Sequence, residues 1–100
     1  LLWHTLTIQF ALGDMTQGSV ARQLNIGSRT LQRNLQIEGT SFRDVKASFI
    51  EFRARTLLAE TNFEITSISR SLGYDEPKSF QRAFRKMTDM TPTAFRNTNA

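Results

Sequence analysis

Apolar residues recur along this chain three and four positions apart, and no stretch alternates with period two. The pattern predicts an all-α fold without a sheet. Leu2, Leu6 and Phe10, extended by Leu12, mark a first amphipathic helix, and Gly13 stands where a left-handed residue ends helices. Thr16 is placed to cap a short helix carrying Val20, Ala21 and Leu24. Asn25 to Gly27 form a turn. Gly27 or Ser28 caps the next helix, over about 28–38, whose inner face is Leu31 and Leu35 and which Gly39 ends. Ser41-Phe42-Arg43-Asp44 has the acid three residues after the Ser, as in a capping box. It opens the longest pattern, with Phe42, Val45, Phe49, Phe52 or Arg53, Leu57 and Leu58, running to about Glu60. At roughly 1.5 Å per residue this helix spans on the order of 28–30 Å. Asn62 breaks it.

The second half repeats the plan. A helix opens near Ile65 with Ile68 and Leu72 inward, and Gly73 begins a turn. Asp75-Glu76-Pro77 reads as a helix start, because acids suit the positive end of the dipole and Pro is tolerated in the first turn. That helix covers about 77–87, with Phe80, Phe84 and Met87 as its buried stripe. Thr91 and Pro92 launch a short last helix with Ala94 and Phe95. Trp3 is assigned to the core, His4 to a structural or exposed position, and Arg43, Arg53 and Arg55 to surface pairs with neighbouring acids.

Two phrases occur twice. Val20-Ala21-x-x-Leu24-x-Ile26 matches Ile68-Ser69-x-x-Leu72-x-Tyr74 at an offset of 48 residues (20 to 68). Leu31-Gln32-Arg33-Asn34-Leu35 matches Phe80-Gln81-Arg82-Ala83-Phe84 at 49 (31 to 80), so the second turn holds one extra residue. A short helix, a tight turn and a second helix with outward Gln and Arg, written twice, is the pattern of a duplicated helix-turn-helix. Ala21 and Ser69 are the small residues at each helix crossing. With the apolar pairs inward, Arg29, Gln32, Arg33 and Gln36 point outward in the first copy. Lys78, Gln81, Arg82 and Arg85 do so in the second. Arg pairs bidentately with guanine and Gln with adenine in the major groove. The chain therefore divides into a first helix-turn-helix over 1–40, a linker helix over 41–61 and a second helix-turn-helix over 62–100. Recognition helices in successive major grooves need a separation of about 34 Å, near the span of the linker helix.

Charge adds a polarity to this plan. The net charge is +4, and residues 77–100 alone sum to +4, with Lys78, Arg82, Arg85, Lys86 and Arg96 against Asp89. The excess lies on and after the second recognition helix, which points to a polyanion partner. There is no Cys, a single His and no glycine-rich phosphate loop. These exclude a disulfide framework and a thiolate site and leave no constellation for an enzyme. No metal or cofactor is expected. No apolar run is long enough to span a bilayer, and none resembles a signal peptide.

The order of blocks resembles the DNA-binding domain of the AraC/XylS family of bacterial transcription regulators. The matching residues begin with Leu31-Gln32-Arg33, Gly39-Thr40-Ser41-Phe42-Arg43-Asp44 and Ala54-Arg55-Thr56-Leu57-Leu58-Ala59. They continue with Ile65-Thr66-x-Ile68, Leu72-Gly73-Tyr74, Ser79-Phe80-x-Arg82-Ala83-Phe84 and Thr91-Pro92-x-x-Phe95-Arg96. The resemblance runs from about Thr16 to Arg96. It departs at Gly27-Ser28 (usually Ser-Pro), Ile50 (often Arg), Ser69 (usually Ala) and Asp89-Met90 (usually with Gly). It implies seven helices, with two helix-turn-helix subdomains joined by a long helix. It also implies sequence-specific binding to double-stranded promoter DNA in a bacterial cytoplasm, at the nucleoid, and activation through RNA polymerase. Its recognition positions fall on Arg29, Gln32 and Arg33, and on Lys78, Gln81 and Arg82. An upstream effector or dimerisation domain is expected to precede this segment. Two rival readings share the helical plan: a protein-interaction domain whose repeat is architectural, and a nonspecific architectural DNA binder.

Overall fold

The computed structural model describes residues 2–98; Leu1, Asn99 and Ala100, the ends of the two sequence-assigned subdomains, lie outside the described residues. Among the described residues there are seven helices and no strand. They are α1 (Leu2–Leu12), α2 (Gln17–Gln23), α3 (Ser28–Ile37), α4 (Phe42–Glu60), α5 (Ile65–Ser71), α6 (Pro77–Thr88) and α7 (Pro92–Thr98). The chain forms two compact units, Leu1–Phe49 and Ile50–Ala100, and the boundary falls inside α4. That helix is unbroken across it.

The ends of the helices follow local chemistry. Thr16 accepts a hydrogen bond from the Ser19 N–H (3.3 Å), Ser41 from Asp44 (3.1 Å) and Thr91 from Ala94 (3.1 Å), so each hydroxyl satisfies an otherwise orphaned donor. Beside Thr16, the Asp14 carboxylate accepts from the Ser19 hydroxyl at 2.6 Å and from the Thr16 N–H at 3.2 Å. The Ser19 bond first, then those of Thr16, hold the Asp14 carboxyl below its ordinary value of 3.8. Its depressed pKa adds stability above the ordinary value, which is lost as pH falls through the depressed one.

In the first unit, Leu6, Val20, Ala21, Leu31, Leu35 and Phe49 form the buried cluster, with Leu2, Phe10, Met15, Leu24, Ile26, Phe42 and Val45 packed on it. Trp3 and Phe10 both meet Phe49 edge-on, at 5.2 Å and 5.9 Å between ring centroids. Trp3 is nevertheless 40% exposed, so it lies at the rim of this core rather than inside it. Leu12 is exposed, and the buried stripe of α1 instead includes Thr5 and Gln9. The Gln9 amide donates to the Ser19 carbonyl at 3.4 Å, which gives this buried polar group a partner.

In the second unit the buried residues are Ala54, Leu58, Ile68, Ser69, Leu72, Phe80, Phe84, Pro92 and Phe95. An aromatic chain runs Tyr74–Phe80–Phe84–Phe95 with centroid spacings of 5.5, 5.7 and 5.5 Å. The Arg55 guanidinium lies 5.5 Å from the Phe95 ring centroid and its Nε is paired with Glu51 at 2.9 Å. Arg96 Nε donates to the Leu58 carbonyl at 3.1 Å, tying α7 to α4. Of the two sequence candidates for one core position, Phe52 is half exposed and Arg53 is partly buried, whereas Ala54 is buried.

The two tight turns share one hydrogen-bond scheme. In the first, Asn25 N–H donates to Arg22 O (3.0 Å) and Ile26 N–H to Ala21 O (3.1 Å); in the second, Gly73 N–H donates to Arg70 O (3.0 Å) and Tyr74 N–H to Ser69 O (3.0 Å). Both are Schellman ends, which require a left-handed residue, and Asn25 (φ 59°) and Gly73 (φ 95°) supply it. Nothing lies within 4 Å of a Cβ added at Gly73, so a substitution there meets only backbone strain. Gly73→Ala is expected to lower stability by about 1–2 kcal/mol in thermal or urea unfolding. Gly73→Asn, the residue of the sister turn, is expected to cost clearly less; equal costs would contradict the left-handed requirement.

Candidate nucleic-acid interface

The duplication seen in the sequence has a structural register. The offset of 48 holds through the turns, from Val20 and Ile68 to Ile26 and Tyr74. From the helix starts onward it is 49: Leu31 N–H donates to Gly27 O (3.0 Å) as Phe80 N–H donates to Glu76 O (3.4 Å). Asp75 is therefore the extra residue. At the crossings Ala21 and Ser69 are both buried, and the Ser69 hydroxyl is satisfied by the Thr66 carbonyl at 2.8 Å. A hydroxyl is thus accommodated where the first copy has a methyl group.

The starts of the two second helices differ. Gly27 is the N-cap of α3 and makes no side-chain cap bond, so Ser28 is the first helical residue rather than the cap. Across the turn, the Gln17 amide donates to the Ser28 carbonyl at 3.1 Å. Glu76 precedes α6, also without a side-chain cap bond, and Pro77 is its first residue.

Burial fixes the phase of both helices. In α3 the buried residues are Leu31 and Leu35, and in α6 they are Phe80 and Phe84. At about 100° per residue the direction opposite each buried pair falls on Arg33 and on Arg82. All eight sequence-predicted positions are exposed: Arg29, Gln32, Arg33 and Gln36 on α3, and Lys78, Gln81, Arg82 and Arg85 on α6. They are not equally central. Arg29 and Lys78 lie within about 40° of the outward direction, Gln36 and Arg85 within about 60°, and Gln32 and Gln81 about 100° away, at the edge of the face.

The same phase brings in residues outside the predicted set. Ile37 and Lys86 lie within about 40° of the outward direction, and Thr30 and Ser79 within about 60°. All four are exposed, Ile37 to 77%. Ser79, Arg82, Ala83 and Lys86 line a shallow concavity of about 250 Å³ on α6. Two cations and a hydroxyl around a small residue suit a phosphate oxygen or a base-edge acceptor. A helical projection centred on Arg82 carries this signal in the sequence. The predicted set stops at Arg85, although Lys86, also in the last turn, lies nearer the outward direction.

A protein-family model described as a helix-turn-helix domain, of the AraC type, matches residues 20–98. The chain belongs to the AraC-type helix-turn-helix family. Among its relatives, the HTH-type transcriptional regulator VqsM of Pseudomonas aeruginosa is 37% identical over 79 residues, 79% of this chain and 24% of that protein. The HTH-type transcriptional activator CfaD of Escherichia coli is 30% identical over 80 residues, 80% of this chain and 30% of that protein. The crystal structure of the transcriptional regulator CdpR from Pseudomonas aeruginosa matches with a TM-score of 0.73 and 38% identity, over 82% of this chain and 26% of that one. The chain thus spans about a quarter to a third of the curated relatives' length. It is an AraC-type DNA-binding domain of the kind found in transcription regulators, and no helix among the described residues is long and apolar enough to cross a membrane.

Proposed function

We propose that this AraC-type domain binds double-stranded promoter DNA in a sequence-specific manner and activates transcription, with α3 and α6 reading successive major grooves. The three-part division into a first helix-turn-helix, a linker helix and a second helix-turn-helix belongs to this proposal. Arg29, Gln32, Arg33 and Gln36 act from α3, and Lys78, Gln81, Arg82 and Arg85 from α6. The observation that carries it is the matched pair Arg33 and Arg82, each opposite a buried apolar pair after a turn of identical hydrogen bonding. CfaD's description as an activator supports the sign of regulation. Contact with RNA polymerase and an additional effector or dimerisation domain in the full protein complete the reading.

Selection of bound duplexes from a random library at stated salt tests it. The expected outcome is an enriched motif with two blocks about one helical turn, roughly 10 base pairs, apart. Binding without enrichment points to an architectural DNA binder, and no binding at all to a protein-interaction domain. Lys86 serves here as a phosphate contact. Lys86→Ala is expected to weaken every duplex by a similar factor and to reduce the slope of log affinity against log salt by about 0.9. A sequence-selective loss would instead assign Lys86 to a base.

A further inference from the structure

We infer that Gln17 is a positioning residue for α3, setting how the first recognition helix is presented to DNA. The inference rests on the reading of α3 as a recognition helix. Three observations converge on this side chain. First, the α3 start lacks the usual fastening, because Gly27 is the N-cap and has no side chain with which to cap. Second, the Gln17 amide, at the first position of α2, spans 11 residues of sequence to donate to the Ser28 carbonyl at 3.1 Å. It is a side-chain hydrogen bond from the first helix of this helix-turn-helix to the opening residue of the second. Third, the second copy holds a different kind of residue at the matching position. Gln17 plus the offset of 48 is Ile65, an apolar residue at the first position of α5. Nothing about starting a helix at that register calls for an amide.

The consequence is geometric. Arg29 follows Ser28 directly, and Arg33 lies one turn further on. A tether at Ser28 restrains the axial position and roll of α3 relative to α2, and so the reach of both arginines. Preorganised side chains hold bidentate base contacts that looser ones do not. Gln17 has this effect through Ser28 rather than through DNA.

The test compares the 100-residue chain with Gln17→Met, which keeps the length and removes the donor, and Gln17→Ile, which installs the residue of the second copy. Affinities are measured for the selected duplex and for two altered duplexes, one mutated in the block assigned to α3 and one in the block assigned to α6. Arg33→Ala identifies the α3 block and serves as the control. A net hydrogen bond of about 0.5–1.5 kcal/mol corresponds to roughly a two- to tenfold change. Both Gln17 variants are expected to lose that factor of discrimination at the α3 block and to keep discrimination at the α6 block within about twofold. A thermal midpoint unchanged in at least one variant separates positioning from folding. Equal losses on all three duplexes, or unchanged discrimination while Arg33→Ala relaxes the α3 block, would overturn the role of Gln17 alone. If Arg33→Ala relaxes nothing, the assignment of α3 as a reader fails and this inference falls with it.

Discussion

Arg82→Ala is expected to weaken binding to the selected duplex by about 1–3 kcal/mol and to erase preference at one base pair while leaving the others. Arg82 stands opposite the buried Phe80 and Phe84, so it is the residue of α6 whose position on the helix faces most directly outward. A bidentate pair with guanine O6 and N7 needs the planar fork of Arg, which Lys does not supply. Arg82→Lys is therefore expected to keep most of the salt dependence and to lose the base preference. Arg33→Ala has the same form on α3, at a different base pair. The background differs between the copies: Arg82 is flanked by Lys78, Arg85 and Lys86, whereas the matching positions around Arg33 are Arg29, Gln36 and Ile37. On the proposed reading the neighbouring cations would still hold α6 on the phosphates after Arg82 is removed, so Arg33→Ala is expected to cost the larger share of its own helix's contribution. Binding isotherms at several salt concentrations, on the selected duplex and its single-base variants, resolve both effects. Uniform weakening across variants, with a changed salt slope, would show that Arg82 reads phosphate and not sequence.

Helix limits and the inner faces of α3 and α6 were legible because each rests on one strong local signal. Thr16, Ser41 and Thr91 cap from their own side chains, and Gly39 and Gly73 adopt the left-handed conformations that end helices. Two well-spaced apolar residues on an otherwise polar helix leave a single phase, which is why Arg33 and Arg82 could be placed outward. α4 gave no such clarity. Apolar residues lie on several of its faces, so periodicity leaves Phe52 and Arg53 as alternatives, whereas the buried residue is Ala54. A methyl group carries little hydropathy signal, yet it is what admits a neighbouring element. In α1 the buried Thr5 and Gln9 were missed for a related reason. The Gln9 amide is tolerated inside because the Ser19 carbonyl accepts its proton, and that partner exists only once α1 and α2 have packed. Gln17 was invisible on the same grounds, since its partner lies 11 residues away across a turn. Local chemistry was readable; contacts created by packing were not.

The aromatic chain of the second unit predicts the largest loss of stability. Phe84 is 1% exposed and touches Phe80 on one side and Phe95 on the other, the latter edge-on at 77° between ring planes. Phe84→Ala removes the link between α6 and α7 and leaves a cavity, at a cost of about 3–5 kcal/mol. A natural domain is stable by only about 5–15 kcal/mol, so the variant is expected to sit near the edge of folding. At roughly 4 °C per kcal/mol or more for a chain of this size, the thermal midpoint should fall by at least about 12 °C. The repeat supplies a milder comparison. Leu35 holds the matching place in α3, so leucine is compatible with this phase of a helix-turn-helix. Phe84→Leu keeps the contact with the body of the core but withdraws the ring edge from Phe95. Its cost should therefore lie well below that of the alanine variant. Circular dichroism melts rank the two, and hydrogen exchange locates the damage: α6 and α7 amides should lose protection first. A Phe84→Ala protein that melts within about 4 °C of the parent, a change near 1 kcal/mol, would mean that this ring does not hold the second unit together.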